Sequence, residues 1–402
     1  MIDLDKFISE KVIKRRISLF SRDIYNNLEL LTSAIEGKTV LVIGGAGSIG
    51  SSFIKALLPF GPSTLVVVDT NENALAELTR DLRSTKGMYV PENYITYPMD
   101  FASRVFEKMF RCHGGFDIVG NFSAHKHVRS EKDVYSIEAL LRNNVLHAKL
   151  LLDLLSEFPP EKYFCVSTDK AANPVNIMGA SKRIMEDVVF RYSDKFPVKT
   201  ARFANVAFSN GSLPAGFLSR IQKLQPLSAP SDIRRYFVSP DESGQICLLS
   251  CILGENRAIF FPKLEEAQMI TFDGIARELL KEYGYEVLEC SSDAEAINKA
   301  EDLKKGSKYY PVYFSESDTS GEKTFEEFVT GTETADMNRF ISLGVITGKE
   351  IPDKGRVEKM FVNLNAAFDK TEVTKEEVIS IMKDYLPNFE HIETGKSLDS
   401  KM

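Results

Sequence analysis

The stretch KTVLVIGGAGSIG, residues 38–50, sets the reading of the whole chain. An apolar run ends in glycine, and a helical stretch follows. That is how a buried strand entering a tight turn and a helix reads. A second apolar run, STLVVVD (63–69), ends at Asp69, and NALAELTRDLRS (73–84) reads as a helix. The pattern then repeats. Strands are predicted in YITYPMD (94–100), FDIVGNFSA (116–124), KYFCVSTDK (162–170) and PVKTARFANVAF (197–208), with helices in 137–158 and 182–196. Six strands alternating with helices predict an α/β fold, a doubly wound parallel sheet covered on both faces.

Outside this block the pattern weakens. Residues 1–36 read as a mixed-charge helical extension. Lys11, Lys14, Arg15 and Arg16 form a basic cluster, read as a solvated face on a docking helix or as a contact for acidic lipid. After about 208 the alternation decays, 265–290 is helix then strand, and 300–330 is polar and loop-rich. Residues 331–402 read as a C-terminal helical extension with a frayed tail.

Composition narrows the class. The chain has 402 residues, is 43% hydrophobic and 27% charged, and carries a formal net charge of −7. These values exclude a low-complexity or disordered chain and argue against a nucleic-acid partner. Cys112, Cys165, Cys247, Cys251 and Cys290 show no paired spacing, which fits a reducing cytoplasm and no metal site. No apolar run reaches the ~18–20 residues of a membrane span. The N-terminus lacks the apolar core of a signal peptide. The expectation is a soluble cytoplasmic protein.

Gly44, Gly47 and Gly50, with Ser48 and Ile49 between them, sit between strand and helix. Glycine lets a backbone approach a pyrophosphate, and the helix N-terminus offers it free N–H groups. Asp69, 19 residues after Gly50, is placed to accept from both ribose hydroxyls of an adenosine and to repel a 2′-phosphate. The predicted cofactor is therefore NAD rather than NADP. Asp100 is placed to meet the adenine amino group or, equally, to cap a helix.

The G-x-x-G-x-x-G spacing resembles the extended short-chain dehydrogenase/reductase superfamily. That superfamily usually carries Tyr-x-x-x-Lys after the fifth strand; here the stretch is Met178-Gly-Ala-Ser-Lys182. Lys is present and Tyr is not. The run VSTDKAANPVNIMGASKR (166–183) resembles nucleotide-sugar 4,6-dehydratases of polysaccharide synthesis, closely the UDP-N-acetylglucosamine branch, some of whose members also carry Met there. AHKHVRSEKD (124–133), RFANVAFSNGS (202–212), RRYFVSPDE (234–242) and SGEKTFEEF (320–328) match in family order. The resemblance implies a Rossmann-type NAD-binding domain over 37–207 and a smaller, mostly C-terminal substrate-binding region over 208–330, partly interleaved with it.

Such a dehydratase needs an acid–base pair at the C5–C6 edge of the sugar. By resemblance Asp169 is the acid at C6, Lys170 the base at C5, and Thr168 hydrogen-bonds the C4 oxygen. Lys170 needs burial or a nearby cation, with Lys182 as candidate, to lose its proton. Lys182 is expected to contact the nicotinamide ribose, near Ser123 and Ala124. Met178 exchanges no proton, so the C4 hydroxyl proton is expected to reach Asp169 through Thr168 or water.

On the substrate side the resemblance assigns Lys126, His127, Asn205, Asn210, Ser212, Arg235 and Glu322. The family loop usually reads Ser-Arg-Gly-Ser, and Asn210 replaces its Arg. Arg235 is then the best remaining phosphate partner, or else part of a surface ion pair. His125 and His127 lack a third ligand for a metal.

The expected activity is NAD-dependent 4,6-dehydration of UDP-N-acetylglucosamine by a homo-oligomer; the sequence leaves retention or inversion at C5 open, with Met178 resembling the retaining members. The alternatives are a GDP-linked substrate, a nucleotide-sugar 4- or 5-epimerase on the same fold, or an inactive NAD-binding regulator.

Overall fold

Each of the six predicted apolar runs forms a strand: β1 (Thr39–Ile43), β2 (Thr64–Asp69), β3 (Asn93–Pro98), β4 (Ile118–Asn121), β5 (Lys162–Thr168) and β6 (Val198–Phe203). In this computed structural model, which describes residues 2–317, 323 and 325–393, they are parallel and ordered β3-β2-β1-β4-β5-β6. That is the dinucleotide-binding strand order, with its switch point between β1 and β4. Parallel Ala258–Pro262 extends the sheet beyond β6, followed by antiparallel Leu343–Thr347 and Thr334–Asp336.

The central strands are apolar because both faces are covered; Val40, Leu41, Val42, Leu65, Val66 and Val67 have no exposed surface. Right-handed crossovers dictate the layers. The β1-to-β2 and β5-to-β6 connections run in opposite directions along the sheet, so their helices cover opposite faces. Ser48–Leu57 covers one face, packed against Pro240–Leu253. A Cβ on Gly244 would stand 2.1 Å from Ser52 O, so only glycine permits this approach. Ile177–Phe190 and His147–Glu157 cover the other.

A second core lies around a parallel three-stranded sheet of Glu286–Glu289, Tyr309–Ser315 and Leu227–Pro230. Tyr310, Val312, Leu279 and Phe217 pack there, and so do Phe7, Ile8 and Val12 from the N-terminal segment. Phe20, Leu31 and Ile35 belong instead to the main core. The first 36 residues therefore span both cores. Arg15 is drawn inside, with Nε and Nη2 each 2.6 Å from the Glu242 carboxylate. Arg16, by contrast, is a surface group paired with Glu10.

Two sequence expectations change. The polar stretch 300–330 contains the central strand of the second sheet, Tyr309–Ser315. Pro311 is tolerated there because its pairing with Leu227–Pro230 begins one residue later, at Val312. Residues 331–402 are not wholly helical: Thr334–Asp336 and Leu343–Thr347 complete the main sheet before helices Lys354–Phe368 and Lys375–Tyr385. Among the described residues no helix is long and apolar enough to cross a membrane.

Candidate active site

Gly44 adopts φ +72°, and a Cβ there would meet Ser123 N at 2.6 Å. A Cβ on Gly50 would meet Gly44 O at 2.4 Å. The loops after β1 and β4 thus touch at the switch point only because Gly44 has no side chain, and the helix start closes on Gly44 only because Gly50 has none. Gly47 is the N-cap of Ser48–Leu57 with no side-chain cap, so the first-turn N–H groups remain open to an anion. Asp69 closes the other end. Its Oδ2 accepts from Ala46 N at 3.1 Å and its Oδ1 from Asn71 N at 2.9 Å. A glycine cradle, an uncapped helix start and a carboxylate at the end of β2 fit a dinucleotide. Asp100 Oδ1 accepts from Ala102 N at 2.8 Å, but the N-cap of the following helix Arg104–His113 is Ser103, not Asp100.

The loop after β4 is held by a residue the sequence reading passed over. Asn144, 2% exposed, sits in a π-helical turn at Arg142–Leu146. It accepts from His125 N and donates to His125 O, both at 2.9 Å, and donates to Ser181 Oγ at 3.1 Å. Ser123 Oγ donates to the neighbouring Asn143 Oδ1. This pins the Ser123–Ala124 segment beside helix Ile177–Phe190. The signal in the sequence is the Asn143-Asn144 pair within the predicted helix 137–158.

Thr168, Asp169 and Lys170 lie at the C-terminal end of β5, on the edge where ligands bind in such sheets. Asp169 is 4% exposed. Its Oδ1 accepts from Thr168 Oγ1 at 2.8 Å, Lys170 N at 2.9 Å and Lys170 Nζ at 3.1 Å. Glu326 Oε1 lies 3.7 Å from Lys170 Nζ. The groups beside Lys170 are therefore carboxylates, not the cation the sequence reading looked for. Lys182 Nζ donates to Val166 O at 2.9 Å and lies 3.6 Å from Met185 Sδ. Burial pushes this ammonium down to about 8.

Met178 is buried in the main core, and its backbone N–H donates to Glu131 Oε1 at 3.0 Å. Asn176 caps this helix through Gly179 N. A Cβ on Gly179 would stand 2.6 Å from Lys170 O, so the helix start presses on the Asp169–Ala171 turn.

A cleft of about 760 Å³ opens between the two cores, lined in part by Lys126, His127, Asn205, Ser212, Arg220 and Phe272. Asn205 enters it from a short parallel pairing with Phe237, and Ser212 caps helix Leu213–Gln222. Four of the predicted substrate contacts are gathered here. Arg220 is a cleft cation that the sequence reading missed. Asn210 lies at the seam, its N–H donating to Ser48 Oγ at 2.9 Å. Arg235 is placed elsewhere: 4% exposed, its Nη2 stands 3.9 Å from Glu326 Oε1. Glu322 lies outside the described residues. Beyond it, Lys323 Nζ donates to Asn173 O, and Asn173 Nδ2 donates to Glu327 Oε2. Among the described residues no three His, Cys, Asp or Glu gather to hold a metal.

The family described as polysaccharide biosynthesis protein matches residues 40–335, which hold the glycine loop, the Asp169 turn and the cleft. The chain belongs to that family. An uncharacterized membrane protein of Methanocaldococcus jannaschii is 31% identical over 263 residues, 63% of this chain and 75% of that protein. The probable polysaccharide biosynthesis protein EpsC of Bacillus subtilis is 25% identical over 85% of this chain. The chain spans only 56% of EpsC. A UDP-N-acetylglucosamine 4,6-dehydratase (inverting) of Campylobacter jejuni is 23% identical over 73% of this chain and 82% of its own length. A UDP-glucose 4-epimerase of Rickettsia conorii is 27% identical over 72% and 87%. In fold, the chain is similar to Pen from Bacillus thuringiensis, with a TM-score of 0.62 at 19% identity, covering 80% of this chain and 91% of that one.

Proposed function

We propose that this family member is a nucleotide-sugar-modifying enzyme. More finely, we read it as an NAD-dependent 4,6-dehydratase acting on UDP-N-acetylglucosamine. One observation carries the finer reading. The Thr168 hydroxyl, the Asp169 carboxylate and the Lys170 ammonium share a single oxygen, Asp169 Oδ1, at the ligand-binding edge of β5. Elimination across C5–C6 needs an acid and a base side by side; exchange at C4 alone needs neither at that edge. The 4,6-dehydratase relative supports the reading.

Gly44, Gly47, Gly50 and Asp69 would hold the NAD, which when bound takes hydride from C4 and returns it to C6. Thr168 orients the C4 hydroxyl and passes its proton to Asp169. Asp169, then protonated, gives that proton to the departing C6 hydroxyl. Lys170 takes the C5 proton and, as an ammonium whose protons exchange with solvent, reprotonates C5. The cleft residues Lys126, Arg220 and Ser212 offer donors to a diphosphate.

The rival is a nucleotide-sugar 4-epimerase, favoured by the Rickettsia relative. The buried Met178 argues against it, since a simple epimerase depends on the superfamily Tyr as its proton carrier at C4. Incubation with UDP-N-acetylglucosamine and NAD⁺ separates the two. A dehydratase yields a C6 methyl product, whose couplings report the C5 configuration; an epimerase yields the C4 epimer alone.

A further inference from the structure

Glu326 has no place in the scheme above, yet it is the best-buried carboxylate touching it. It is 4% exposed. Its Oε1 has no hydrogen-bond partner among the described residues. That oxygen stands 3.7 Å from Lys170 Nζ and 3.9 Å from Arg235 Nη2. A buried carboxylate oxygen left without a donor is costly unless it has work to do. The groups facing Glu326 are Lys170 and Asp169 from the turn after β5, Arg235 from its short strand, and Lys323 from its own segment.

The dehydratase scheme leaves one proton unplaced. In the arrangement seen, Lys170 Nζ lies 3.1 Å from Asp169 Oδ1. To act as base at C5 Lys170 must first give up a proton, and its side chain is only 17% exposed. Asp169 cannot accept it, because it has just received the C4 hydroxyl proton through Thr168. We infer that Glu326 is the positioning residue that takes this proton from Lys170 and returns it at the end of each turnover. This inference rests on the dehydratase reading.

The proton count closes. Asp169 and Glu326 start ionised, with Lys170 charged. The C4 hydroxyl proton moves to Asp169, and the Lys170 proton moves to Glu326. Lys170 removes the C5 proton while Asp169 protonates the leaving hydroxyl, so water departs carrying the former C4 hydroxyl proton. Lys170 returns a proton to C5, and Glu326 returns its own to Lys170. Burial raises the affinity of the Glu326 carboxyl for a proton, while Lys170 and Arg235 limit the rise. That poises it to exchange with an amine.

The test is steady-state methyl formation from UDP-N-acetylglucosamine and NAD⁺ by wild type, Glu326→Gln and Glu326→Asp across about pH 6–9, with a single-turnover record of nicotinamide reduction. Glu326→Gln should keep KM and the rate of C4 oxidation. Its kcat at neutral pH should fall about ten- to a hundredfold and climb as pH rises, because the Lys170 proton must then escape to solvent. Glu326→Asp should recover the flatter wild-type profile. A Glu326→Gln enzyme with wild-type kcat and profile overturns the inference. So does one that loses C4 oxidation along with dehydration, since that marks a structural role. If wild type yields only the C4 epimer, the dehydratase reading itself fails, and the wild-type lane alone shows it.

Discussion

The Thr168 hydroxyl donates to Asp169 Oδ1 at 2.8 Å. In the proposed dehydratase this hydroxyl carries the C4 proton to the acid in place of a tyrosine. Replacing Thr168 by Val should lower kcat about ten- to a hundredfold, the equivalent of ~1.5–3 kcal/mol. Asp169→Asn should lower it about 10²–10⁴-fold. Stopped-flow nicotinamide absorbance assigns the lost step. Unchanged C4 oxidation in Thr168→Val contradicts the Thr168 route.

Met178 is packed in the core, 3% exposed. Met178→Tyr must fit a larger, polar-tipped ring into a packed site. The expected result is no gain in kcat and a loss of about 1–3 kcal/mol of stability by denaturant unfolding. A large rate gain would show that Met178 is a defect rather than part of a working design.

Gly50 stands where a Cβ would meet Gly44 O at 2.4 Å and Gly45 Cα at 2.8 Å, both backbone atoms. Gly50→Ala should force the loop open. Wild type should melt at higher temperature as NAD is added, by mass action; the variant should lose that shift. An equal shift in both would remove the glycine loop from the cofactor site.

Arg202, with no exposed surface, bridges Glu186 on helix Ile177–Phe190 to Glu333 just before the strand Thr334–Asp336. Burial alone would raise the Glu333 carboxyl, but Arg202 and Lys349 outweigh it and hold the group at about 2. A carboxyl depressed on folding adds stability above its unfolded value, and that stability fades as pH falls through the folded value. Removing Glu333 by Gln should cost about 3 kcal/mol at neutral pH and flatten the unfolding profile between about pH 4.5 and 2. A profile unchanged by Glu333→Gln would contradict this.

The sheet was legible and part of the site was not, for one physical reason. Strands β1 to β6 are buried on both faces, so burial writes itself into the chain as apolar runs. Thr334–Asp336 is a three-residue edge strand whose ends are exposed, and Tyr309–Ser315 carries Pro311; neither leaves a periodic signal. The Asp169–Lys170 contact was readable because the two residues are adjacent. Glu326 was not. It reaches Lys170 only through the fold, and nothing in FEEF distinguishes the buried Glu326 from the exposed Glu327. Arg235 shows the same limit: its type suggested a phosphate contact or an ion pair, and only the fold reveals Glu326 as its 3.9 Å neighbour.

The central claim is that the Asp169–Lys170 pair works at C5–C6. Proton NMR of the protein with UDP-N-acetylglucosamine and NAD⁺ in D₂O tests it most directly. A new C6 methyl signal, with deuterium at C5, is the predicted result. A C4 epimer with C5 still protonated and no methyl signal would contradict it.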